Sequence, residues 1–243
     1  MLKLFNISFI DGDYNTAIKL LRNGMLMHVP SGPGLATIGK DSRYTEAVQN
    51  SDFAIPDSSY MVLLLRWLKG IKIKKLSGYD FLRIFLQSES IKKNELFLID
   101  PTEKDSQLNN EYLNSIGMPI DQSYHYVAPI YGNGEISDKI LLNKLNSLIQ
   151  KPKYIMINLG SGVQEPLSYY IKRNLNFKPG IICTGASIAY FTGEQANVPL
   201  IIDTLGLGWL KRCIDNPKVF IIRYLKAFSL FFLILKAKVE ITK

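Results

Sequence analysis

Residues 160–165, Gly-Ser-Gly-Val-Gln-Glu, follow an apolar run at 154–159 and precede a stretch that reads as a helix. A glycine-bearing turn at a helix start offers free backbone N–H groups and the positive end of the helix dipole. That setting suits a diphosphate. Gly160, Ser161, Gly162 and Glu165 are therefore candidate binding residues, and Gln164 is a candidate partner of a bound ligand. The run is not a dinucleotide fingerprint, because Glu165 stands where the third glycine belongs. Taken alone, it fits a tight turn as well as a ligand site. Asp57 holds a comparable position, after a short apolar run at 53–55 and ahead of an apolar helix at 60–68. A carboxylate there suits a general base. It equally suits the N-cap of that helix, a role open to Ser58 as well.

These residues need a scaffold that gathers them. Short apolar runs predict strands at 25–29, 53–55, 95–99, 125–129 (an edge strand), 154–159 and 180–184. Helical spacing predicts helices at 44–50, 60–68, 79–87, 104–116, 137–150 and 165–175. Strand and helix alternate, and no Asn-Gly type of hairpin signal separates the strands. The expected class is α/β: a Rossmann-like, open, mostly parallel sheet with helices on both faces. Such sheets bind ligands beyond the carboxyl ends of their strands. The loops at 30–34, 56–59, 100–102, 160–165 and 185–193 are the ones expected to matter.

The charge is unevenly spread. The chain of 243 residues carries a formal +8, yet residues 211–243 alone hold eight basic side chains against two acidic ones. The reading divides the chain into a body, 1–205, and a basic amphipathic helical appendage, 206–243. Between 218 and 238 the cations Lys218, Arg223, Lys226 and Lys236 share one arc of a helix, and Phe, Leu and Ile fill most of the rest. That is the pattern of a helix lying in an anionic membrane surface. It also suits a helix docked on its own domain, or on a second copy of the chain in a homo-oligomer. The N-terminus lacks the apolar run of a signal peptide, and no stretch is long and apolar enough to span a bilayer. Cys183 and Cys213 form no metal-binding spacing, and His28 and His125 stand apart, so no metal site is expected. The tail intersperses cations with Phe and Leu and shows no exposed aromatic platform, so nucleic acid is not an expected partner.

Five motifs in order resemble the WecG/TagA/CpsF family (glycosyltransferase family 26). Gly206-Leu207-Gly208-Trp209-Leu210-Lys211-Arg212, with Pro217-Lys218 and Arg223-Tyr224-Leu225, looks like its GLEWLYRL…EPRR…RRYL. Residues 160–165 look like its GxPKQE, and residues 185–193, from Gly185 on, like its GAAFDFLAG. Asp57-Ser58 stands where its Asp-Gly does, and residues 75–80 resemble its R-V-x-G-x-D. The resemblance covers residues 25 to 225. It implies inverting transfer of a hexose, an N-acetylhexosamine or its uronic acid from a nucleotide-sugar donor. The acceptor it implies is a polyprenyl-diphosphate-linked sugar, met at the cytoplasmic face of the membrane. It further implies metal independence, Asp57 as base, Gln164 on a substrate, and Ser31, Lys75, Arg212 and Arg223 among the binding residues.

The chain also departs from that pattern. Val29-Pro30-Ser31 replaces Thr-x-Asn, leaving only the Ser31 hydroxyl. Lys75 replaces Arg, keeping the charge without the bidentate fork. Gly162-Val163 replaces Pro-Lys, and Ala189 replaces the Asp of GAAFDFLAG. These changes admit a second reading, a non-catalytic, membrane-associated nucleotide-sugar-binding protein that has kept the fold. Asp57 and Gln164, both intact, speak against it. A nicotinamide-dependent oxidoreductase is a third reading, weakened by the missing third glycine and the lack of a suitably placed ribose-binding acid.

Overall fold

The computed structural model describes residues 1–88, 91–193 and 225–241. Nine strands form one sheet among them: β1 (Leu2–Leu4), β2 (Ile7–Phe9), β3 (Leu26–His28), β4 (Phe53–Ala54), β5 (Leu96–Asp100), β6 (His125–Val127), β7 (Tyr154–Ile157), β8 (Gly180–Cys183) and β9 (Val239–Ile241). The order across the sheet is β6-β5-β7-β8-β3-β4-β2-β1-β9. The pairs from β6 through to β2 are parallel; β1 runs antiparallel to β2 and to β9. Every residue of β3, β5, β7 and β8 is buried, as a parallel sheet covered on both faces requires.

The helices are α1 (Tyr14–Arg22), α2 (Gly32–Leu35), α3 (Ser42–Gln49), α4 (Ser59–Lys69), α5 (Gly78–Ser88), α6 (Glu103–Ser115), α7 (Lys139–Ser147), α8 (Gln164–Asn174) and α9 (Ser229–Lys236). Asp13, Asp41, Ser58, Thr102 and Asp138 start five of them, each accepting a backbone N–H from the first turn. The six strands expected from sequence all form. β6 is an edge strand, as its composition suggests.

Five elements are absent from the sequence reading: β1, β2, α1, the short α2 and β9. Strands β1 and β2 make a hairpin through Phe5 and Asn6, both at positive φ. Two left-handed residues match the natural twist of the hairpin, but a Phe-Asn pair gives little sequence signal for one. α1 buries Ala17, Ile18 and Leu21 along one face, a helical spacing that the sequence reading overlooks. β9 is a three-residue edge strand, and its partner lies at the other end of the chain.

Residues 225–241 meet the body. The cut expected between 205 and 206 lies outside the described residues; α9 packs on the body and β9 pairs with β1. α9 seats Leu230 and Ile234, both fully buried, in a second core with Leu4, Phe9, Leu35, Tyr44, Met61 and Leu65. Lys69 Nζ donates to Leu235 O at 3.0 Å, and Tyr60 meets Phe228 at 6.1 Å between ring centroids. Phe228, Phe232 and Leu235 stay on the outside. The helix read from sequence as a membrane element is thus docked through one face and open on another. Leu230→Ala should lower stability by about 2–4 kcal/mol, as core truncations do. Phe232→Ala should change it by about 0.5 kcal/mol or less. Urea unfolding of both variants checks the pair, and equal effects would contradict the docking.

Candidate active site

The parallel strands end on one edge of the sheet, and the loops leaving β3, β4, β5, β7 and β8 converge there. Glycines mark the contacts. A side chain at Gly34 would run into Tyr44 Oη, Ser161 Oγ and Ser31 Oγ. One at Gly32 would meet Ser58 Oγ, and one at Gly78 would meet Val29 and Ser187. The loops after β3, β4, β7 and β8 and the start of α5 therefore share a single neighbourhood.

Asp57 lies half-buried at the end of β4. It does not cap the helix that comes after it. Ser58 does that, accepting from Met61 N at 3.2 Å. Asp57 Oδ1 instead accepts from Gly78 N at 3.0 Å, which fixes the carboxylate against the first residue of α5. Leu76 N donates to Pro56 O, so the segment bearing Lys75 is pinned to the Asp57 loop. Tyr14 Oη accepts from Ser77 N close by. Ser31 caps the short helix α2 through Gly34 N at 3.2 Å.

The 160–165 loop is closed by its own side chain. Val163 stands at the N-cap of α8 and has nothing to accept with. The Glu165 carboxylate bends back instead. One oxygen takes Gly162 N at 2.7 Å; the other takes Ser161 Oγ at 3.1 Å and Gln164 Nε2 at 3.2 Å. Burial pushes the Glu165 carboxyl above its ordinary range, against those hydrogen bonds, which lower it. Gln164 is 3% exposed, and its Oε1 accepts from Gly185 N at 2.9 Å. Its Oε1 and one N–H of its Nε2 are thus engaged inside, joining the loop after β7 to the loop after β8. Below them Ser168 Oγ donates to Glu165 O and meets His28 Nε2 at 2.8 Å. Burial drives His28 down to about 3, so the ring stays neutral. The outer side of the loop is open, since a side-chain carbon at Gly160 or Gly162 would meet nothing within 4 Å. Arg212 and Arg223 lie outside the described residues.

A second polar group on this edge lies in a loop the sequence reading expected to matter, at a residue it did not name as a candidate. Asp100 ends β5, fully buried, and its Oδ1 accepts from Asn109 Nδ2 and Asn158 Nδ2, each at 2.7 Å. Burial raises the Asp100 carboxyl to about 6, against the Asn158, Asn109 and Ser106 side chains, which lower it. Asn109 and Asn158 line a cavity of about 200 Å³ with Pro101, Asp105, Ala186 and Ala189. Phe191, on the turn after β8, stacks on Tyr79 at 4.8 Å and on Tyr112 at 5.4 Å, tying that turn to α5 and α6. A signal was present: Asp100 and Asn158 each interrupt an otherwise apolar strand run at its carboxyl end.

The family model described as "Glycosyl transferase WecG/TagA/CpsF family" matches residues 2–243. An N-acetylglucosaminyldiphosphoundecaprenol N-acetyl-beta-D-mannosaminyltransferase of Bacillus subtilis (strain 168) is 27% identical over 179 residues, covering 73% of this chain and 66% of its own length. A protein of the same name from Bacillus spizizenii (strain ATCC 23059 / NRRL B-14472 / W23) is 21% identical over 180 residues, again covering 73% of this chain and 66% of its own. The aligned stretch spans just under two thirds of each relative.

The raised Asp100 gives a test of this geometry. The folded protein holds that proton more tightly than the unfolded chain does. Its stabilising contribution is therefore full at low pH and is lost as pH rises towards and through about 6. Asp100→Asn removes the titration and keeps an amide oxygen for both asparagines. The melting temperature of the variant relative to wild type should rise between about pH 4.5 and about pH 7.5. Calorimetry checks it; a flat difference would mean the carboxyl is not buried as described.

Proposed function

This chain belongs to the WecG/TagA/CpsF family of glycosyltransferases, and we propose that it moves a hexose, an N-acetylhexosamine or its uronic acid from a nucleoside-diphosphate sugar, taken here as a uridine one, onto a polyprenyl-diphosphate-linked sugar. The relatives' name supplies the acceptor class. The observation that carries the reading is the meeting of Asp57, the start of α5 and the 160–165 loop on the carboxyl edge of the sheet.

In this reading the acceptor hydroxyl attacks the anomeric carbon from the side opposite the diphosphate. Its proton goes to Asp57 as the new bond forms and the bond to the diphosphate breaks, inverting the centre. The Gly78 N–H holds the carboxylate in place. The leaving diphosphate lies against the open outer side of the 160–165 loop, with Lys75 and the two tail arginines, Arg212 and Arg223, meeting its charge. Gln164 acts as a positioning residue, setting the distance between that loop and Gly185. No divalent metal takes part.

The assay is release of nucleoside diphosphate from a panel of UDP-sugars with an undecaprenyl-diphosphate N-acetylglucosamine acceptor, with and without EDTA. Turnover in EDTA is expected. Asp57→Asn should keep its melting temperature, because the amide oxygen still accepts Gly78 N–H, and should lose roughly 10²-fold in turnover. Full activity in that variant would remove Asp57 from the mechanism. Donor binding without turnover in the wild type would favour the non-catalytic reading.

An acceptor anchored in lipid calls for a protein that meets the membrane. Among the described residues, no helix is long and apolar enough to cross one. The outer faces of α4, of α9 and of the residues just before it instead expose Trp67, Leu63, Phe228, Phe232 and Leu235, with Arg66, Lys226 and Lys236 exposed on the same segments. Aromatic and aliphatic side chains ringed by cations suit the cytoplasmic, anionic face of a bilayer. In flotation, the protein should rise with anionic liposomes, and the combined Trp67→Ser and Phe232→Ser variant should stay behind. Equal flotation of the two would contradict this surface.

A further inference from the structure

The cavity between the ends of β5 and β7 and the turn after β8 has a polar floor that the proposed chemistry does not use. The Asp100 carboxylate fixes two carboxamides at once, taking an N–H from Asn109 and one from Asn158. An amide held by its nitrogen turns its oxygen the other way, so the carboxylate decides which end of each asparagine is presented. Asn158 is 5% exposed, lines the cavity, and its Oδ1 has no hydrogen-bond partner among the described residues. Nor has the hydroxyl of Thr184, 7% exposed, at the end of the neighbouring strand β8. Buried polar atoms left unpaired are costly, and a ligand that pairs them removes the cost. Ala189, on the cavity wall, adds only a methyl group.

The size and position narrow the ligand. About 200 Å³ is below the roughly 300–1,000 Å³ of pockets that take a whole drug-sized molecule, so one ring fits. The unpaired group in its lining, Asn158 Oδ1, accepts, so the ring must bring it a donor, which a ribose hydroxyl supplies. β5 is hydrogen-bonded to β7, the strand that runs into the glycine loop. Open parallel sheets that bind dinucleotides pair a glycine loop with an acid that serves a ribose hydroxyl. Here the acid is on the strand next to the loop and precedes it in sequence, which is why a search downstream of the loop finds none.

We propose that this cavity receives the ribose of the donor nucleotide, with Asn158 Oδ1 accepting a ribose hydroxyl and Asp100 acting as the positioning residue that orients Asn158 and Asn109. The assignment rests on the glycosyltransferase reading, in which a nucleoside diphosphate lies along this edge. It adds a hydroxyl-recognition role for Asn158, Asn109 and Asp100, three residues outside the motifs that carried the family resemblance.

The test is calorimetric titration of the full chain with UDP, GDP, ADP and CDP, and then with the 2′-deoxy and 3′-deoxy forms of whichever binds. At least one deoxy form should bind about tenfold more weakly. In Asn158→Ala the ribonucleotide should fall to the affinity of that deoxy form, whose own affinity stays unchanged. Asp100→Ala should do the same, while Asp100→Asn should retain part of the discrimination. A merely structural role would weaken ribo- and deoxynucleotides equally. Thermal melts report whether each variant folds, and the wild-type comparison stands even where one does not. Equal affinity of wild type for ribo- and both deoxynucleotides overturns the ribose site and leaves nucleotide binding intact. Discrimination that survives Asn158→Ala overturns the assignment to this cavity. Failure of every nucleotide to bind overturns the donor reading and the ribose site together.

Discussion

The carboxyl edge depends on how α8 begins without a side-chain cap. Val163, at the N-cap, offers no acceptor, and Glu165 in the first turn reaches back across it to take Gly162 N and Ser161 Oγ. A buried carboxylate with three donors has little freedom, and the loop that carries it is fixed with it. Gln164 passes that order on to Gly185 through a second hydrogen bond. The left-handed φ of +92° at Gly162 and +62° at Gly185 makes both turns possible. Two loops from adjacent strands are thus locked together before any ligand arrives. Pre-positioned loops of this kind spare a transferase the ordering entropy that a bound nucleotide would otherwise require.

Asp57 extends the same logic to the other side of the site. Its tie to Gly78 joins the end of β4 to the start of α5, and the packing of Gly78 against Val29 and Ser187 joins both to β3 and to the turn after β8. The C-terminal residues complete the body. β9 covers the outer side of β1, and α9 closes the core formed by α2, α4 and the first hairpin. A segment that reads as an amphipathic appendage therefore supports the domain with one face and leaves another for a surface.

The parallel sheet was legible because its strands are fully buried, and full burial produces uninterrupted apolar runs such as 96–99 and 154–157. The edge elements were not. A hairpin of two three-residue strands and a three-residue C-terminal strand are stabilised by partners far away or by a turn of Phe and Asn, and neither leaves a periodic trace. Asp57, Ser31, Lys75 and the 160–165 loop were identified as residues and are found on one edge, yet their partners were not foreseeable. Whether Asp57 caps α4 or α5 depends on a contact across 21 residues, and Gln164 turns inward only because Gly185 lies opposite. Asp100 was hidden by its neighbours: as the last residue of a strand it reads as a turn residue until Asn109 and Asn158 are brought to it.

The central claim is that a nucleoside diphosphate settles along this edge, between the start of α5 and the loops after β7 and β8. Amide hydrogen exchange, with and without a saturating nucleoside diphosphate, tests it most directly. The account expects slower exchange at 76–80, 158–165 and 184–189, with α7 and the first hairpin unchanged. Protection confined to α7 and the hairpin, or no change at those three segments while the nucleotide is bound, would contradict it.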